Sequence, residues 1–160
     1  MLVDGKWEGP IVDQHMHLDR ENRFISAAEE FSRSGGTEIF LVHKPSFSKS
    51  LPTDLNGYRE VYRDTIKMAE SVREKTELKV NVVLGPHPVV WDIQANDIGV
   101  KASSELHISA VGLALDMIEE GEAVCLGEVG RPHYPVSEDR WTEANDLLLE
   151  IMRMASTSNS

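Results

Sequence analysis

The segment Ile11-Val12-Asp13-Gln14-His15-Met16-His17-Leu18-Asp19 carries an apolar run directly into an Asp-x-His-x-His pattern. Side chains two apart on a β-strand point to the same face, so His15 and His17 can reach one metal ion while Met16 points away. The alternative is a pair of polar residues that bond only to backbone or water. The pattern predicts a strand over 10–15 that ends in metal ligands.

A second apolar run, over 123–127, ends at Glu128, which stands between Gly127 and Gly130. Small residues on either side of a carboxylate let the backbone and a ligand approach closely. A carboxylate can also bridge two cations, as in two-metal hydrolases. The alternative is an exposed loop glutamate.

Apolar runs alternate with helical periodicity along the whole chain. Strands are predicted at 10–15, 38–42, 80–84 and 123–127, and helices at 24–34, 54–76, 105–120 and from Ser137 onward, with no regular structure over 89–103. Continuously apolar strands alternating with helices indicate an α/β fold whose parallel sheet is buried on both faces. We expect one domain over 1–154, followed by a polar tail over 155–160.

His87 follows the third predicted strand, within Gly85-Pro86-His87-Pro88. His15, Glu128 and His87 therefore all lie at the carboxyl ends of different strands, which is where βα-barrel enzymes carry their chemistry. The alternative for His87 is a histidine in a rigid turn.

Further polar residues lie next to these candidates. Asp13 could orient a ligand imidazole by accepting a hydrogen bond from its other ring nitrogen, or could cap a loop. Lys44 and Arg131 could bind an anionic substrate group, or could be solvated loop residues. His133 follows Glu128 closely and is a further candidate for contact with substrate.

The net charge of −11 argues against a protein that holds nucleic acid by bulk electrostatics. It allows a phosphate substrate held through metal ions, because bound cations dominate the local field. Cys125 is the single cysteine and is expected to be a buried, inert thiol. With no apolar run near the ~20 residues of a membrane span, we expect a cytoplasmic protein without membrane contact.

The motifs DQHMHLD, VVLGPHP and LGEVGRPHYPVS, in this order, resemble the TatD branch of the amidohydrolase superfamily, and most closely its archaeal members. The resemblance implies a (β/α)8 barrel with one or two divalent ions (Zn, Mg or Mn) and deoxyribonuclease-like hydrolysis of phosphodiesters, in nucleic acids or small molecules. It implies that His15 and His17 are first-strand metal ligands and that Glu128 ligates or bridges metal. His87 matches a third-strand position that is not a principal ligand.

Members of that family continue into later strands that carry two more histidine ligands and a water-activating aspartate. This sequence is expected to hold only the first four βα units, a parallel half-barrel with helices outside, so no catalytic residue is assigned and activity is expected to be weak or absent. Its exposed edges predict self-association. The alternatives are a non-catalytic half-barrel that binds metal or a partner chain, and an amide or lactone hydrolase.

Overall fold

The computed structural model describes residues 2–158, in which a four-stranded parallel sheet of order β3-β4-β5-β6 is flanked by helices. The strands are β1 Leu2–Val3, β2 Lys6–Trp7, β3 Val12–Met16, β4 Glu38–Val42, β5 Lys79–Leu84 and β6 Cys125–Leu126. The helices are α1 Phe24–Arg33, α2 Leu55–Lys75, α3 Pro88–Ile98, α4 Val100–Glu119 and α5 Glu138–Thr157. The predicted α/β class and the parallel sheet are confirmed, and the arrangement is consistent with part of a βα-barrel.

The helix boundaries follow from local capping chemistry. The side chain of Asp54 accepts a hydrogen bond from the Gly57 backbone N–H at 2.8 Å, and Ser137 caps α5 in the same way. Tyr62, Ala69 and Val72 of α2 are fully buried against the sheet. These two helices begin where the sequence predicts, although α5 continues to Thr157, into the segment expected to be a polar tail.

The two faces of the sheet differ in chemistry. Ile39, Leu41 and Leu84 are fully buried beneath the helices. On the opposite face, the Glu38 carboxylate pairs with Lys79 at 2.8 Å and accepts a hydrogen bond from Asn81 at 2.6 Å. The predicted burial on both faces is therefore wrong at this end of the sheet, because its open face carries a charged pair.

The region 89–103, expected to be irregular, forms most of α3 and the start of α4. Pro88 occupies the first turn, where a missing N–H costs nothing, and His87 caps the helix by accepting from the Val89 N–H at 3.1 Å. Apolar residues lie on several sides of α3, so the helix has no single apolar stripe. Gly99, at a φ of +86°, separates α3 from α4.

Cys125 is exposed, so the expectation of a buried thiol is wrong. It lies on β6, which is shorter than the predicted 123–127 and pairs only with β5 in the described part of the chain. The short antiparallel pair β1–β2 was not predicted. Within residues 2–158, no helix has the length and apolarity that a membrane crossing requires.

Candidate metal centre

Three side chains from the two outer strands of the sheet converge at its carboxyl edge. His15 is on β3, His17 follows it by two residues, and Glu128 follows β6. The Glu128 Oε1 atom lies 2.6 Å from His15 Nε2 and 3.3 Å from His17 Nε2, and the two Nε2 atoms are 3.2 Å apart. These residues form a group of potential metal ligands within 4.8 Å of one another.

Hydrogen bonds to the backbone fix which ring nitrogen carries the proton in His17 and in His87. The Nδ1 atom of His17 lies 3.0 Å from the carbonyl oxygen of Val42, which can only accept, so Nδ1 carries the proton and Nε2 keeps its lone pair. His87 has the opposite arrangement, because its Nδ1 accepts from the Val89 N–H. A neutral His87 therefore carries its proton on Nε2 and donates it to Glu128 Oε2 at 3.2 Å.

These tautomers assign different roles to the histidines around Glu128. His17 is prepared to donate a lone pair to a cation, as a metal-ligating histidine whose other nitrogen bonds a carbonyl does. His87 holds the second carboxylate oxygen and leaves Oε1 facing His15 and His17. Burial lowers the pKa of His87, which favours the neutral ring that this hydrogen bond requires, while the Glu128 carboxylate acts in the opposite direction.

Glu128 is held in an uncommon backbone conformation, with a φ of +61°. A non-glycine residue in the left-handed region costs about 1–3 kcal/mol and persists only where its surroundings enforce it. A side chain at Gly127 would overlap Val83, and one at Gly85 would overlap the Gly127 carbonyl. The two glycines thus let the ends of β5 and β6 approach closely and place Glu128 opposite the histidines.

The donor set fits a divalent cation. Two imidazole nitrogens and a carboxylate are a known zinc ligand set, and tetrahedral ligands about 2.0–2.1 Å from zinc lie about 3.3 Å from one another. Two of the three separations here match that spacing, and the third, between His15 and Glu128, is at hydrogen-bond distance. The His15 side chain is 60% exposed while that of Glu128 is 12% exposed, so the site is open on the histidine side.

Beneath the cluster, His43 is buried and its Nδ1 lies 2.9 Å from the hydroxyl of Thr65. Burial lowers its pKa to about 4, with smaller contributions from His17 and His87. A neutral ring adds no positive charge that would repel a cation.

The remaining candidates lie outside the three-ligand group. Asp13 accepts a hydrogen bond from the His15 backbone N–H at 2.9 Å, next to a register shift in β3. Among the described residues, its carboxylate has no hydrogen bond with an imidazole. Lys44 pairs with Asp19 at 3.3 Å. The Arg131 guanidinium donates a hydrogen bond to Asn145 and lies over the ring of Trp141. His133 is exposed, and its ring lies beside that of Tyr134.

Sequence reasoning missed the backbone groups that orient the site and the burial of His43. The Val42 carbonyl and the Val89 N–H have no sequence signature of their own. Pro88 after His87 was a usable signal, because proline in a first helical turn suggests that the preceding residue is a cap.

The chain matches the family model of TatD-related DNases over residues 12–160, which include all three potential ligands. It is 28% identical over 149 residues to an uncharacterised protein of Methanocaldococcus jannaschii, covering 91% of this chain and 51% of that protein. The chain thus spans about half the length of this curated relative, and no solved structure matches it. The family resemblance predicted from the motifs is confirmed, and the chain belongs to the family of TatD-related DNases.

Proposed function

We propose that this chain carries part of the metal site of a metal-dependent hydrolase that acts on phosphodiester bonds in the manner of a deoxyribonuclease. The observation that supports this most directly is the convergence of His15, His17 and Glu128 at the carboxyl edge of the sheet. The family generally uses divalent metals, and this donor set suits one.

In this proposal His15 Nε2, His17 Nε2 and Glu128 Oε1 hold the ion. A bound divalent ion supplies Lewis acidity that favours attack by water and stabilises charge on the phosphoryl oxygens. The chain itself supplies orientation, because Val42 fixes the His17 ring and His87 fixes the carboxylate. Loss of such supporting partners typically lowers metal affinity about 10–100-fold.

Polar side chains that follow the strands at this edge of the sheet are proposed to bind the substrate anion. Lys44 follows β4 at the same edge of the sheet, where its ammonium is shared with Asp19. Arg131 and His133 follow Glu128 in the chain, and the guanidinium of Arg131 is held by α5 through Asn145. These contacts matter in a chain of net charge −11, which repels a polyanion at long range.

The proposal is tested by hydrolysis of a short single-stranded DNA and of bis(p-nitrophenyl) phosphate, with Zn²⁺, Mg²⁺ or Mn²⁺ added to chelator-treated protein. We expect weak activity that requires a metal and that falls at least about 100-fold in Glu128→Gln, because loss of a direct ligand exceeds loss of a supporting partner. Glu120→Gln, the same change at an exposed glutamate after α4, is the control and should keep wild-type activity.

Equal activity of Glu128→Gln and Glu120→Gln would contradict the assignment. Metal binding without turnover of either phosphodiester would favour the non-catalytic alternative. A parallel panel of lactone and amide substrates tests the third possibility, since such hydrolases use the same ligand types.

A further inference from the structure

A small cavity lies beside the candidate metal centre, between the segment 45–52, α2 and the start of α3. His87 forms part of its wall, and the same ring holds Glu128 Oε2 at 3.2 Å. One imidazole ring therefore separates the cavity from the carboxylate of the potential metal ligands. The residues that line the cavity all follow β4 or β5, the two inner strands of the sheet, and none belongs to an outer strand.

His43 also lines the cavity, and its hydrogen bonds show which of its ring nitrogens can accept. The Thr65 hydroxyl donates its only hydrogen to the Val61 carbonyl at 3.1 Å, so it accepts from His43 Nδ1 at 2.9 Å. A neutral His43 therefore carries its proton on Nδ1 and keeps a lone pair on Nε2. This Nε2 atom has no hydrogen-bond partner among the described residues, although His43 is only 5% exposed.

Two other polar side chains of the wall already have partners. The Tyr58 hydroxyl donates a hydrogen bond to Gln94 at 3.4 Å, and the Lys49 ammonium pairs with Glu21 at 3.3 Å. Because the charge of Lys49 is neutralised, the cavity suits a neutral group better than an anion. Buried acceptors in native proteins nearly always have a partner, so His43 Nε2 calls for a hydrogen-bond donor from a ligand.

The size of the cavity and its apolar wall limit what that ligand can be. Apolar residues of the wall are Pro45, Leu51, Pro52, Val61 and Val90. An apolar protein cavity of about 150 Å³ binds benzene, whereas this one measures about 90 Å³ and holds a smaller group. An intact nucleobase is therefore too large, and a short aliphatic chain that carries a hydroxyl fits both the volume and the acceptor.

We propose that this cavity binds the hydroxyl-bearing aliphatic part of the alcohol that the substrate phosphate esterifies, with His43 Nε2 accepting from its hydroxyl. The assignment of this alcohol to the substrate rests on the proposed function, because it requires the phosphoryl group to be held at His15, His17 and Glu128. A glyceryl group and a sugar share this chemistry. The cavity thus selects the part of the ester nearest to phosphorus.

Binding to the cavity is tested first on the full chain without metal or turnover. Isopropanol and acetone have the same skeleton of carbon and oxygen, but only isopropanol donates a hydrogen bond. In NMR spectra of the histidine nitrogens, free His43 should carry its proton on Nδ1, and isopropanol should shift the Nε2 resonance saturably while acetone should not. A proton on Nε2 in the free protein, equal shifts with both probes, or no saturable shift would overturn the proposal.

A pair of variants tests the acceptor itself. His43→Phe keeps a ring but removes Nε2, and the Thr65 hydroxyl keeps its hydrogen bond to Val61. Tyr62→Phe is the control, because it removes a buried hydroxyl next to the His43 ring but outside the cavity. Methyl resonances of Val61 and Val90 report binding in both variants. Isopropanol should bind to Tyr62→Phe and not to His43→Phe, and equal binding would overturn the proposal. If His43→Phe does not fold, the two probes on the wild-type chain still decide.

A second titration, with Zn²⁺ bound to the wild-type chain, tests the link to the substrate. By calorimetry, glycerol 3-phosphate or deoxyribose 5-phosphate should bind at least about fivefold more tightly than propyl phosphate, which corresponds to one added hydrogen bond. The tighter of the two identifies the source of the alcohol. Equal affinities for all three would overturn the assignment to the substrate. If the chain binds isopropanol but no zinc, the proposed function fails and the binding site in the cavity stands.

Discussion

The two faces of the sheet contrast in what they bury and what they expose. The covered face packs Ile39, Leu41 and Leu84 against the helices at essentially zero exposure. The open face carries the Glu38–Lys79 pair, and potential metal ligands lie at the carboxyl ends of the two outer strands. We infer that the covered face supplies most of the folding free energy and that the open side supplies the chemistry.

The largest stability effect is expected on the covered face. Leu41→Ala should lower the free energy of unfolding by about 2–5 kcal/mol, because it removes buried methyl groups and leaves a cavity. Urea denaturation measures this, and Leu55→Ala at a partly exposed position is the matched control. A change below about 1 kcal/mol, which is typical of surface substitutions, would contradict the contrast between the faces.

A smaller effect on stability and a clear effect on the site are expected from Gly127→Ala. The new methyl group would overlap Val83, at a cost of about 1–3 kcal/mol, and would displace Glu128 from the histidines. Gly112→Ala is the control, since its methyl group would meet only the Met154 side chain, at ordinary contact distance. Metal affinity unchanged in Gly127→Ala would show that the close approach of β5 and β6 does not position the carboxylate.

The pH dependence of the free energy of unfolding is a second test of the side of the molecule that the helices cover. His107 on α4 is fully buried, its ring nitrogens have no partner among the described residues, and burial lowers its pKa to about 3. Unfolded chains protonate histidine near pH 6.5, so the unfolded state binds the extra proton as pH falls from 6.5 towards 3. Stability present above pH 6.5 should therefore be lost across that range, by about 1.4 kcal/mol per pH unit from this residue.

His107→Leu removes that proton uptake. The slope of unfolding free energy against pH between 6.5 and 4 should become shallower by this amount, measured by urea denaturation at several pH values. Identical slopes for the two proteins would mean that His107 does not stay neutral in the folded state.

The smallest effect is expected from the charged pair on the open face. The Lys79 side chain is 68% exposed, so Lys79→Ala should change the free energy of unfolding by at most about 1 kcal/mol. If Lys79→Ala lowered the free energy of unfolding more than Leu41→Ala does, the contrast between the two faces would be reversed.

Much of this architecture could be predicted from the sequence because the signals are local. β4 spans the predicted 38–42, since Ile39 to Val42 is a compact apolar run shortly after Gly35-Gly36. The His15-x-His17 spacing and the Gly127–Glu128 pair could be recognised because strand geometry and close backbone approach require those residue types. The convergence of the three side chains is then expected from the common edge of a parallel sheet.

What could not be predicted depends on tertiary contacts. Cys125 has the sequence of a core residue, but its strand has no outer neighbour in the described chain and the thiol is exposed. The α3 helix is packed on several sides and therefore has no amphipathic period. The tautomers of His17 and His87 depend on a carbonyl and an N–H from distant or capping positions, which no residue spacing encodes.

The most direct test of the account is a calorimetric titration of chelator-treated protein with Zn²⁺, comparing wild type, Glu128→Gln and Glu120→Gln. We expect one site per chain formed by His15, His17 and Glu128, with affinity at least about 100-fold weaker in Glu128→Gln and unchanged in Glu120→Gln. Equal affinities for the two variants, or no binding by the wild-type chain, would contradict the central claim that these residues form a metal site.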